Sequence, residues 1–350
     1  MQQPPEQSFS GRRLSVAASQ EAILSRSNET TTGAPSARPR TWALVVLVLL
    51  GLALIVMPFA FDMFNRAPKG ATMIVGFRPF MTESRLEGFQ RDMSEVNAGV
   101  QQSKGSVAAY LEGVSAIGPS ATVRFRTEYP AFASFAGQWG TIDAHMTDLL
   151  DQVQGNLANY QAVAALPSFN LFPWFFVIPG ILVLGLMTVL VVRPRRWGTA
   201  RWILVAIGLG LVLAPAVFQM FDRAPKGGQM MSAFRTIETT SNVETIQGYF
   251  GTMAEGQGVI RLELVPALKQ TGLTQAQVDA RFPAVATLDA RWVHILNDMT
   301  PMIGAMSDNV ANYQAVAALP PFPLFPYFFV LPGVLIAGAA VAARPAKKRS

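Results

Sequence analysis

Four stretches of the chain, Trp42–Phe61, Trp174–Val192, Trp202–Met220 and Tyr327–Ala343, contain no Asp, Glu, Lys, Arg or His. Each approaches or meets the roughly 17–25 apolar residues a helix needs to cross a bilayer. A segment in hydrocarbon must satisfy its own backbone polar groups, so four transmembrane helices are expected. Composition agrees: 51% of residues are hydrophobic and only 14% charged, against about 25% charged in ordinary soluble domains. The first stretch starts too far into the chain, and runs too long, for a cleaved signal peptide, and reads as a signal anchor.

Charge sets the orientation. Thirteen Lys/Arg and only Glu6, Glu21 and Glu29 lie before the first span, in the Arg193–Arg201 turn and after the last span, a net +10. The two long intervals carry 15 Lys/Arg and 19 Asp/Glu, a net −4. Short basic segments stay cytoplasmic, so both termini are expected inside and both long intervals outside a bacterial plasma membrane. Arg outnumbers Lys 22 to 6, a composition typical of GC-rich bacterial genomes. The predicted plan is a disordered cytoplasmic tail (1–40), spans at 41–61, 173–192, 202–220 and 326–343, and outer helical domains at 62–172 and 221–325. A basic turn (193–201) and a basic end (344–350) complete it. Arg12-Arg13-Leu14-Ser15 in the tail reads as part of the positive-inside anchor. No basic stripe with interleaved aromatics occurs, so no nucleic acid is expected as a partner.

The chain also reads as one unit written twice. Phe64-Asn-Arg-Ala-Pro-Lys-Gly70 returns as Phe221-Asp-Arg-Ala-Pro-Lys-Gly227, 157 residues on. Ala158–Pro167 returns unchanged as Ala311–Pro320, 153 residues on, and Phe172–Gly180 returns as Phe325–Gly333 with two conservative changes. The second copy is four residues shorter, the loss falling between about Thr82 and Pro130. Each copy carries a seam of apolar residues at spacings of three and four, from Phe132 through Trp139 and Met146 to Val163, and from Val285 through Trp292 and Met299 to Val316. That periodicity predicts a helix of about 35 residues in each copy, or roughly 50 Å. Earlier seams run from Leu86 to Val100 and from Val243 to Met253. The fold class expected is therefore an all-α integral membrane protein. It has four transmembrane helices and two tandem-duplicated extracytoplasmic helical hairpins or small bundles. Thr274-Gln-Ala-Gln277 has the spacing of a capping box and is expected to open the long helix of the second copy. Pro130 and Pro283 fall near helix starts.

Candidate chemistry is sparse. Cysteine is absent, which excludes disulfides and thiolate chemistry. His145 aligns with Asp298, and His294 with Thr141, so neither recurs as a metal ligand would. Met299, Met302 and Met306 suggest a soft-metal site, but two of their counterparts are Leu149 and Val153, an exchange that core packing tolerates. No G-x-S-x-G elbow, P-loop, G-x-G-x-x-G turn or H-E-x-x-H pair occurs. No catalytic, cofactor-binding or metal-binding residue is therefore assigned, and no enzymatic activity is expected.

Three groups of residues remain. The R-A-P-K-G segments read as rigid exit turns placing Arg66, Lys69, Arg223 and Lys226, followed by Arg78 and Arg235, at headgroup height, as contacts for lipid phosphate or an acidic partner. The N-Y-Q-A-V-A-A-L-P segments, with Asn159, Tyr160 and Pro167 and with Asn312, Tyr313 and Pro320, read as joints into the returning spans and between the halves. Pro179 and Pro332 are expected to kink or restart those spans. Ala206, Gly210 and Ala214, and Gly333 and Ala337, form small-residue faces that seat the spans together or dimerise the chain. The expected function is a non-enzymatic membrane scaffold or accessory protein. Its expected partners are membrane lipids and an envelope protein or further copies of itself. The alternatives are a sensor acting through a partner, or a lipid-handling accessory of a transport system.

Overall fold

The computed structural model describes residues 41–115, 121–193 and 196–343. The expected tail (1–40), residues 194–195 of the basic turn and the end (344–350) lie outside the described residues. Every described element is helical. The chain runs through α1 (Thr41–Ala60), α2 (Met63–Phe77) and α3 (Glu83–Gln102), then a π-helical turn (Ser103–Val107) and α4 (Ala108–Ser115). It continues through α5 (Ala121–Glu128), α6 (Pro130–Gly155), α7 (Leu157–Ala164), a 3₁₀ turn (Phe169–Leu171) and α8 (Phe172–Val192). The second half repeats this order as α9 (Trp197–Val217), α10 (Met220–Ala233), α11 (Thr240–Val259), a π turn (Ile260–Leu264) and α12 (Val265–Gln270). Then come α13 (Gln275–Arg281), α14 (Pro283–Ala317), a 3₁₀ turn (Phe322–Leu324) and α15 (Phe325–Ala342). Helices α1, α8, α9 and α15 carry the four segments long and apolar enough to cross a membrane. The third starts five residues before Trp202, so Arg201 lies inside it.

Local chemistry explains the helix boundaries. Asp62 and Gln219, 157 residues apart, adopt the left-handed conformation (φ 53° and 54°) and end the first and third spans. The R-A-P-K-G segments are consequently not turns. They lie inside α2 and α10, which continue through Pro68 and Pro225, and the bend falls on the residue before each helix. Thr82 and Thr239, again 157 apart, cap α3 and α11 by accepting from the N–H of Arg85 and Asn242. Thr274 does form a capping box with Gln277, but it opens the short helix α13. The long helix starts afresh at Pro283, as α6 starts at Pro130, each proline filling a position whose N–H has no helical partner. Helix α14 spans 35 residues without interruption, whereas its counterpart breaks at Asn156 into α6 and α7. Helices α8 and α15 pass through Pro179 and Pro332 without restarting.

The spans pair as hairpins, α1 with α8 and α9 with α15, and α1 also packs on α15. Glycine sets the approach. A Cβ on Gly208 would lie 2.6 Å from the Gly333 carbonyl oxygen, and one on Gly180 would lie 2.9 Å from that of Gly51. The small-residue face therefore falls on Gly208 with Gly333 and Ala337. Gly210 faces open space and Ala206 is exposed, so these two do not seat the spans within one chain.

Above the spans, the two halves build a single core. Side chains from α3 and α6 interleave with those from α11 and α14 in one cluster containing Phe89, Trp139, Met146, Ile246, Leu288 and Met299. The long seams are buried in it as far as Leu150 and Met306, and their last residues, Tyr160, Val163, Tyr313 and Val316, belong to the cluster that joins the bundle to the spans. The earlier seams lie in the first cluster too, with Gln257 buried against Asp289 where the apolar match ends. The closest packing is between halves: Gly99 seats Leu288, and Gly256 seats Phe135. Arg85 pairs with Asp298 at 3.4 Å, and Arg291 pairs with Asp92 and Glu95. Separate outer domains at 62–172 and 221–325 are not what these contacts describe. Periodicity identifies a buried face but not its neighbour, and here the neighbour is largely the other half.

Candidate functional site

The junction between spans and bundle is built from α2 and α10, each docked on the other half. Helix α2 packs along the C-terminal part of α14, and α10 packs along α7. Arg66 donates from its guanidinium to the Ala318 carbonyl at 2.6 Å, and Arg223 donates to the Ala165 carbonyl at 2.8 Å. Ala318 and Ala165 follow the last residues of α14 and α7, where carbonyls lack helical partners and the helix dipole favours a cation. The Tyr160 hydroxyl donates to the Ile74 carbonyl and that of Tyr313 to the Met231 carbonyl, each at 2.5 Å. Gly70 admits Val316 and Phe169, and Gly227 admits Val163 and Phe322. All these contacts come in pairs at the sequence offsets of 157 and 153.

Where equivalent residues touch each other, they mark an approximate two-fold axis. Phe77 stacks on Phe234 (6.5 Å between ring centres), Phe169 meets Phe322 edge-on, Phe172 meets Phe325, and Phe176 meets Phe329 at 4.5 Å. A small cavity lies on this axis, and its wall consists of five equivalent pairs. These are Met73 and Met230, Ile74 and Met231, Phe77 and Phe234, Met81 and Glu238, and Tyr160 and Tyr313. A second cavity shares Phe77, Phe234, Met81 and Glu238 and is closed by Leu149, Val153, Met302 and Met306. Each offers about 20 Å³ to the centre of a water-sized sphere.

Glu238 breaks the symmetry. It is 2% exposed, and neither carboxylate oxygen receives a hydrogen bond among the described residues. Burial pushes its carboxyl up to about 8, because a charge without a partner is costly in an apolar surround. Burial is likewise the largest influence raising the nearby Tyr313 hydroxyl, against Arg235 and with Glu238. The Tyr160 hydroxyl is also raised by burial, against the charge and hydrogen bond of Arg78.

The residues singled out in the sequence thus have distinct places. Arg66 and Arg223 bind backbone carbonyls of the opposite half, while Lys69 and Lys226 lie exposed on the same two helices and Arg78 and Arg235 lie exposed just past their C-terminal ends. Tyr160 and Tyr313 close the axial cavity. Asn159 and Asn312 donate to Asn156 and Asn309 one turn earlier, at 3.1 and 3.0 Å. Pro167 and Pro320 are half-buried just past the ends of α7 and α14. His145 is hydrogen-bonded to Tyr249 of the other half at 3.2 Å, and His294 faces Asp298 at 3.4 Å. Among the described residues, no three His, Asp or Glu side chains converge as metal ligands. Glu238 and its methionines escaped the sequence reading, although a signal was present. Met73 and Met230 are 157 apart, and at the same offset an acid replaces Met81. The chain matches no protein-family model, no curated protein and no solved structure at a significant level.

Proposed function

We propose that this protein is a non-enzymatic, four-span scaffold or accessory protein of a bacterial plasma membrane. It arose by tandem duplication of a span–helical domain–span unit, with both termini cytoplasmic and the joint helical bundle outside. The observation that carries this reading is the reciprocal docking of α2 and α10, which Arg66 and Arg223 clamp onto the opposite halves. Two interlocked halves make one body whose outward faces present the same exposed cations twice, Lys69 with Lys226 and Arg78 with Arg235. Such a surface suits bivalent contact with an acidic envelope partner or with lipid headgroups, because a second engagement follows the first at high effective concentration. Affinity purification after in-cell crosslinking tests this, with a reproducible partner or lipid expected. Recovery of the protein alone would count against it.

Topology is testable separately because the chain has no cysteine. Ser134 and Thr287 are exposed on the bundle and Thr199 at the other end of the spans. Ser134→Cys and Thr287→Cys are expected to react with a membrane-impermeant maleimide in intact cells, and Thr199→Cys only after lysis. The opposite pattern would reverse the orientation. A second reading, a sensor acting through a partner, draws support from the buried Glu238 on the axis. A saturable thermal shift with a small ligand would favour it over the scaffold.

A further inference from the structure

We propose that the first half of the bundle carries a cleft for a small organic monoanion, a carboxylate on an apolar or aromatic body, held by Lys104 and Arg126. The cleft opens between the π turn, α4, α5 and the start of α6, where α3 has run 20 residues away from the junction with the spans. Its volume of about 820 Å³ falls within the roughly 300–1,000 Å³ of small-molecule sites. Buried Phe125 and Phe132 meet edge-on at 6.0 Å and, with Ala108, supply an apolar wall. Lys104, exposed on the π turn, and Arg126, exposed on α5, line the same cleft from two different elements. Neither has an ion-pair or hydrogen-bond partner among the described residues. Both suit a carboxylate, and arginine offers it a bidentate fork. Glu112 is the one acid in the lining, so the walls carry two positive charges and one negative. That net +1 complements a monoanion and repels an organic cation. The other half shows what the cleft is missing. At the offset of 157, Gly105, Ala108 and Ala109 correspond to the bulkier Leu262, Val265 and Pro266, and at 153 Ala136 corresponds to Asp289. Asp289 engages Arg261, the counterpart of Lys104, at 3.5 Å. Where that acid would stand in the first half there is Ala136, a lining residue of the cleft. A ligand carboxylate there takes the part that Asp289 plays in the second half.

The test uses the full chain in detergent, with para-fluorohydrocinnamate as the probe, fluorine NMR as the readout and empty micelles as the blank. Saturable binding at one site per chain is expected, and the corresponding neutral alcohol should bind about tenfold more weakly or worse. Lys104→Gln/Arg126→Gln should weaken binding of the carboxylate by about tenfold or more. Ala136→Asp should do the same, because it sets a built-in carboxylate beside Lys104, whereas Arg261→Gln should leave binding unchanged. The comparison of the two probes on the wild-type chain decides the matter if a variant fails to fold. Absence of saturable binding would overturn the proposal, and so would equal binding of the alcohol, which would leave only an apolar surface. Binding unchanged in the Lys104→Gln/Arg126→Gln variant would overturn it as well, placing the carboxylate elsewhere. None of these outcomes bears on the scaffold reading, which rests on the clamps at Arg66 and Arg223.

Discussion

At the scale of single residues, the side chains that define this protein act on backbone carbonyls. Arg66, Arg223, Tyr160 and Tyr313 each satisfy a carbonyl near a helix C-terminus. A hydrogen bond from a charged donor is worth about 1.5–3 kcal/mol when well sheltered, and Arg66 is 32% exposed, so about 1 kcal/mol is the fair figure after solvent screening. Arg66→Gln and Arg223→Gln should each lower the stability of the detergent-solubilised protein by about that amount in denaturant titration. The double variant should lose about the sum, since the two clamps share no partner. If both changes leave stability untouched and abolish lipid or partner binding, the guanidiniums serve the surface and not the joint. Sequence comparison found these arginines because they recur, but it assigned them to the headgroups. A guanidinium's partner 252 residues away leaves no local trace. Glu238 was hidden for a related reason: an acid among polar outer residues looks solvated until its neighbours are known.

At the scale of elements, periodicity and composition were informative and bends were not. The four spans, the long seams and the helix starts at Pro130 and Pro283 were all legible. The bends at Asp62 and Gln219 were not, because neither residue is glycine, the residue that ordinarily marks left-handed backbone in a sequence. The same limit applies to the small residues of the third span. Alternation by four marked Ala206, Gly210 and Ala214, whereas helix rotation brings Gly208 against Gly333. A paired substitution separates the two faces. Gly208→Ala should cost about 1–3 kcal/mol through overpacking against backbone, read as a lower melting temperature in detergent. Gly210→Ala meets nothing within 4 Å and should be neutral or raise stability by up to about 1 kcal/mol through helix propensity. Equal effects of the two changes would mean that the α9–α15 interface is set elsewhere.

At the scale of the whole molecule, the central claim is that the halves exchange α2 and α10 and share one core. Sequence identity between the halves showed two related segments, but identity is silent on whether each folds on itself or on its twin. The glycine contacts decide it, since Gly70 seats Val316 and Gly227 seats Val163, each across the halves. The most direct measurement uses the cysteine-free background, with Gly70→Cys/Val316→Cys and Gly227→Cys/Val163→Cys as two engineered pairs. A protease site inserted between Val192 and Trp197 then cuts the chain in two. Oxidation in native membranes followed by cleavage should leave the fragments joined on a non-reducing gel for both pairs, at the mass of one chain, and separate on reduction. Fragments that run apart without reductant, or that join only as products of two chains, would contradict the exchange.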